Sequence, residues 1–373
     1  MLSRMRTTLA LLAIALAAAC TPPGAAPAPP VPRDLTGATP YPANPAEPHL
    51  AHLRMLTHAG ENAEAYYSYN GKRLIFQATW PGISECDQIY IMDVAWRNPH
   101  RVSNGKGRTT CAYFFKDGKR VLYSSTMAAS PTCPPRPDYS QGYVWGLFDY
   151  DIYTARPDGS DIRVLFRSPA YDAEATISPD GRRIVFTSMR DGDLDIYTMD
   201  ADGSNVRRLT DEVGYDGGPF FSPDGTKIVY RAYHPRAPQE VADYRALLAQ
   251  HRVRPTTMEL WVMDADGSNK RQITHAGAAS FAPFFHPDGR RVIFSSNMAD
   301  PQGRDFDIYL IGLDGQGLER TTTSPEFDGF PMFSPDGRQL VFASNRGGAH
   351  RGDTNIFIAD WVEHPTPAGG PAH

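Results

Sequence analysis

The chain has 373 residues, 42 acidic against 37 basic side chains and a formal net charge of −5. That balance, with no basic stripe interleaved with aromatics, argues against a nucleic-acid surface. No Walker loop, no dinucleotide fingerprint opening a helix and no His-Glu-x-x-His motif occurs, so nucleotide and zinc-protease chemistry have no foothold.

Arg4 and Arg6 precede an unbroken Leu, Ala and Ile run over Leu9–Ala19. The run is shorter than the roughly 20 residues of a membrane span, so residues 1–19 read as a signal peptide. Leu16-Ala-Ala-Ala-Cys20 is similar to a bacterial lipobox, which implies lipidation at Cys20 and, with Thr21 next, an outer-membrane destination. Several acyl chains anchor stably, at about 0.8 kcal/mol per buried methylene. Residues 20–48 are rich in Pro and Ala and read as a semi-rigid tether. Residues 49–362 form the globular part, and 363–373 read as a disordered tail.

Within the globular part, one unit recurs. Glu174–Thr210 holds four short apolar runs separated by turn signals, the pattern of a four-stranded antiparallel meander. In Ser178-Pro179-Asp180-Gly181, Pro179 presets the second turn position and Gly181 supplies a positive φ. Equivalent turns end at Gly71, Gly118, Gly225, Gly289 and Gly337, and equivalent third strands carry Tyr90, Tyr153, Tyr197, Trp261, Tyr309 and Phe357. A period of roughly 40–50 residues with four strands each predicts propeller blades. The expected fold is therefore an all-β, six-bladed β-propeller. The last unit lacks a fourth strand, and Leu53-Arg-Met-Leu-Thr57 matches Arg207-Arg-Leu-Thr210, so the N-terminal strand is expected to close the ring and remove its open edges.

Phe221–Gly225, Asp195–Gly203 and Met263–Thr274 resemble the WD40-like Pro-Asp-Gly repeats of the TolB family. The resemblance covers roughly Leu50 to Trp361, in a lipoprotein form without that family's N-terminal α/β domain. It implies the propeller; function has to be read from the site.

Function should lie where units depart from their consensus. Loops between second and third strands, and between blades, share one face, here called the top, and both large insertions fall there. Residues 126–150 carry Tyr139, Tyr143, Trp145 and Phe148, either as a binding platform or as a local mini-core. Residues 233–258 contain a helical stretch from Pro238 to His251, with Val241, Tyr244, Leu247 and Leu248 on one face. Cys111 stands where sibling units have Glu64 and Glu174. A disulfide is expected in an oxidising compartment, either Cys111–Cys133 or Cys86–Cys111.

Strand ends place Asp172, Glu174, Arg190, Asp216, Asp328 and Arg346 at the top channel mouth as candidate binding residues. They could hold a cation or a basic peptide, or cap backbone amides and pair among themselves. No catalytic set, metal-ligand spacing or cofactor motif is legible. The expected function is a membrane-anchored, non-catalytic scaffold in the periplasm that binds an envelope protein or peptide. The alternative is a hydrolase or lyase acting on an oligosaccharide or peptide at the same mouth.

Overall fold

The computed structural model describes residues 36–364 apart from 96, 97, 141 and 326. The signal peptide, Cys20, the first part of the tether and most of the tail lie outside the described residues. Five sheets of four strands and one of five stand around an axis, which makes six blades. Blade three shows the plan, with Asp172–Ile177 innermost, then Arg183–Ser188, Asp195–Asp200 and Arg207–Arg208.

Each blade is covered on both faces by its neighbours, so second strands read as continuous apolar runs. Ile184, Val185 and Phe186 are fully buried, as are Leu340, Val341 and Phe342. The bottom turns are closed locally. The Ser178 hydroxyl donates to Asp180 at 2.6 Å and accepts from the Arg183 amide at 2.9 Å. The motif's Asp and Ser are therefore spent on the turn.

Ring closure follows the sequence expectation. Leu50–Thr57 pairs with Asn355–Trp361 as the fourth strand of blade six. Thr57 also performs the outer strand's usual task. Its Oγ1 accepts from the Ile356 amide at 2.9 Å, as Thr210 accepts from Ile196 and Thr274 from Leu260.

The tether boundary moves. Thr36–Pro40, placed in the tether by its composition, adds a fifth strand to blade six along Leu50–Thr57. Glu47, seven residues further, is buried and bonds both terminal nitrogens of Arg346 at 2.8 and 3.1 Å. Arg346 also donates to Asp328 at 2.6 Å. Two buried carboxylates thus share one guanidinium at the seam, and burial pushes the Asp328 carboxyl above its usual range despite Arg346.

Removing one member of such a set leaves uncompensated buried charge, at a cost of about 3–5 kcal/mol, whereas an exposed pair is worth about 0–1 kcal/mol. Arg346→Leu is expected to lower the urea midpoint sharply. Lys227→Ala, which breaks the more exposed Lys227–Asp264 pair, is expected to leave it almost unchanged.

Candidate functional site

All six inner strands slip register against their second strands at the same place. The residue at each slip has a positive φ of 51–60°: Glu64, Cys111, Glu174, Gly218, Ala282 and Phe330. A bulge leaves one residue unpaired and re-aims it. Outside glycine such a backbone is strained, yet five of the six positions carry side chains. All six line one small space on the axis, of about 40 Å³. Below it, the rings of Tyr66, Tyr113, Phe220 and Phe284 fill the axis, with neighbouring centroids 5.5–6.2 Å apart.

Above this ring lies a cavity of about 560 Å³ whose floor is Glu64, Cys111, Glu174 and Arg231. Arg231 donates to Glu174 and, at 2.5 Å, to the Tyr215 hydroxyl. Glu174 also accepts from Thr187 and from the Gly218 amide, both at 2.8 Å. Glu64 is different, since its hydrogen bond comes from the Cys111 thiol. The Glu64 side chain is half-buried at the cavity floor, closely surrounded by protein atoms. Burial first, then the nearby Glu174 charge, raise its carboxyl from 4.5 to about 7. Burial and the same two carboxylates push the Cys111 thiol well up, so it is held as a thiol and not as a nucleophile.

The two insertions make a roof. Trp145–Gly146 from the first pairs with Arg252–Val253 from the second, joining blades two and four across blade three. The helix α1 (Pro238–Leu248) forms where the apolar spacing predicts it. Glu240 reaches back to the amides of Arg236 and Ala237, and Tyr244 and Leu248 are buried. They pack with Leu147, Val253, Leu194 and Tyr215. Of the first insertion's aromatics, Trp145 turns down to cover Arg231 at 5.2 Å from its ring centre. Tyr139 and Tyr143 stay about half exposed at the cavity mouth and stack on each other at 5.7 Å.

The disulfide corrects both expected pairings: it joins Cys86 to Cys133, and Cys111 is free. Cys111 is turned towards the axis by its bulge, whereas Cys86 precedes a third strand on the rim, under the first insertion. The bond therefore ties the roof of blade two to blade one.

Of the six candidate mouth residues, the structure brings Glu174 into the cavity. Asp172 is buried and accepts from Ser188 at 2.6 Å and the Ser168 amide at 2.7 Å. Asp216 meets His234 at 3.0 Å. Asp328 and Arg346 belong to the seam. Arg190 packs on Phe166 and Tyr197, 4.4 and 4.9 Å from their ring centres. Sequence reasoning passed over Arg231, Tyr215 and the Phe281, Phe327 and Phe330 wall. Arg231 had a signal: it occupies the second-strand register held by Gln77, Ser124, Thr187, Ser295 and Ala343 in the other blades.

Because the folded Glu64 carboxyl titrates near 7 and the free one near 4.5, ionising it opposes folding. The cost is absent below about pH 4.5 and complete above about pH 7. Glu64→Gln removes it, so the variant is expected to be more stable than the parent at pH 8 by about 1–2 kcal/mol, discounted for the partial exposure of the side chain. The gain should shrink through pH 7 and vanish by pH 4.5, as read from melting temperatures.

Comparison with known proteins gives a family. The TolB β-propeller domain model matches residues 148–253 and 253–359, more than half of the chain. A putative TolB from Agrobacterium tumefaciens is 22% identical, with a TM-score of 0.55 over 83% of this chain and 93% of that one. TolB from Acinetobacter baumannii is 16% identical, with a TM-score of 0.53 over 83% and 66%. An oligogalacturonate lyase in complex with manganese is 14% identical, with a TM-score of 0.53 over 91% and 99%. At these identities the likenesses concern the fold. No curated protein matches the chain. Among the described residues, no group of three His, Cys, Asp or Glu side chains could hold a metal ion, and no helix is long and apolar enough to cross a membrane. The repeated blades, their strand-closed ring and the matched domain place the chain in the TolB β-propeller family.

Proposed function

We propose that this chain is an extracytoplasmic, lipid-anchored propeller that binds an envelope protein or peptide at its top face without chemical turnover. One observation carries the reading. A groove of about 1140 Å³ runs over blades five and six and shares Tyr143, Trp145, Phe281 and Phe327 with the central cavity. The roof covers the opposite side. Such a surface admits an extended segment that ends in the cavity, and it keeps a folded domain out of the cavity itself. The Cys86–Cys133 disulfide fits an oxidising compartment, and the leader with Cys20 fits export and anchoring.

A hydrolase or lyase reading has one observation in its favour, the Glu64 carboxyl held near neutrality, where general acid–base catalysis works best. Against it, Glu174 is saturated with donors and Cys111 is held as a thiol. The binding reading is therefore the stronger.

Two measurements test it. Full-length protein, displayed on beads by its anchor in detergent, is incubated with solubilised envelope and compared with Phe281→Arg. A single partner retained by the parent and lost by the variant supports the reading; no partner, or equal retention, overturns it. Separately, cells fed labelled fatty acid are expected to label the chain, and Cys20→Ser is expected to abolish the label.

A further inference from the structure

The central cavity is divided by chemistry. Blades one to four supply its charged groups, and blades five and six supply an aromatic wall. Phe281 lies 6.2 Å from Trp145 of the roof and 6.3 Å from Phe330, and Phe327 lies 5.8 Å from Phe330. All four rings are partly exposed to the cavity.

The charged half is unbalanced. On the floor, Glu64, Asp87 and Glu174 face two guanidiniums, Arg108 and Arg231, with Glu61 further out at the exposed rim. Each cation already faces a carboxylate. Arg231 is bound to Glu174 and Tyr215, and its faces are covered by the Trp145 and Tyr215 rings at 5.2 and 5.3 Å. Arg108 lies 3.7 Å from Asp87 and over the Phe148 ring, and its Nε has no hydrogen-bond partner. An anion approaching either guanidinium would also meet that cation's own carboxylate, Glu174 or Asp87. Glu64 has the opposite need. Its hydrogen bond comes from a neutral thiol, a weak donor, while a second carboxylate stands near it.

We propose that the cavity holds an organic cation: an ammonium group on an aryl or alkyl stem, with the ammonium on Glu64 and the stem against Phe281, Phe327, Phe330 and Trp145. An ammonium would give Glu64 a charge-assisted donor and offset the excess negative charge of the floor. The ring faces would add cation–π attraction and cover the stem. The volume lies within the usual span for small-molecule pockets, roughly 300–1,000 Å³. This deepens the binding reading by naming the chemistry at the end of the bound segment: a lysine side chain, an amino terminus or a free amine.

The test is calorimetric titration of the full chain at pH 8 with three probes of one shape: phenethylammonium, 2-phenylethanol and 3-phenylpropionate. The ammonium is expected to bind at least tenfold tighter than the alcohol, and the carboxylate more weakly than either. Glu64→Gln is expected to bring the ammonium down to the alcohol's affinity, while Glu61→Gln at the exposed rim leaves the preference in place. An ammonium that binds no better than the alcohol on the unsubstituted protein overturns the proposal, whatever the variants do. A preference that survives in Glu64→Gln also overturns it. If the envelope partner is captured while no ammonium binds, the cation assignment falls and the binding reading stands; ammonium binding without capture reverses that result.

Discussion

The fold depends on one pairing between distant parts of the chain. Six sheets around an axis close into a ring only if the last blade is completed by the first segment, and here Leu50–Thr57 lies along Asn355–Trp361 as its outer strand. The strand match alone would leave the seam like any other pair of outer strands. The seam is reinforced by a fifth strand at Thr36–Pro40 and by Arg346 held between Glu47 and Asp328. A buried ion set is weak evidence of net stabilisation. Its effect here is on register: Glu47 reaches Arg346 only when the N-terminal strand is seated correctly.

Closure brings six inner strands together at the axis, and the common bulge follows from there. At the bulge, the following residue is always small or cyclic: Ala65, Ala112, Ala175, Pro219, Pro283 and Pro331. The architecture thereby creates one equivalent, axis-facing position in each blade. The repeats share their strand and turn pattern, yet these positions hold two carboxylates, a thiol, a glycine, a methyl and a phenyl ring. Varied chemistry at a geometrically identical and strained position points to a site at the axis.

The same contrast explains how much could be read from the sequence. Blade number, strand order, closure and α1 were legible because turn chemistry and apolar spacing are local and repeat six times. Thr36–Pro40 is not recognisable as a strand in the sequence because a strand added to an edge needs little apolar sequence of its own. The cysteine pairing was open because it depends on whether a side chain faces the axis or the rim, and the bulge decides that. Asp172, Asp216 and Asp328 looked like a ring of carboxylates because their strand positions match. They are equivalent indeed, but each is met by a hydroxyl, an imidazole or a guanidinium of its own blade. Two residues further along the chain, Glu64, Cys111 and Glu174 mark the position that faces the cavity.

The roof gives the cavity a direction. Its two halves come from blades two and four and meet as a two-stranded sheet over blade three, with Cys86–Cys133 holding the first half to blade one. The open side therefore lies over blades five and six, where Phe281, Phe306 and Phe327 follow one another at 4.8 and 6.0 Å. Anything entering passes the groove's Asp300, Arg304, Asp305 and Arg351, then the aromatic wall, and reaches Glu64 and Glu174 last. A charged group that travels this way loses water before it reaches Glu64, a loss that is tolerable only if the group fits the charge waiting there. For the proposed cation with an apolar stem, the aromatic wall beside Glu64 would matter as much as the charge of the floor.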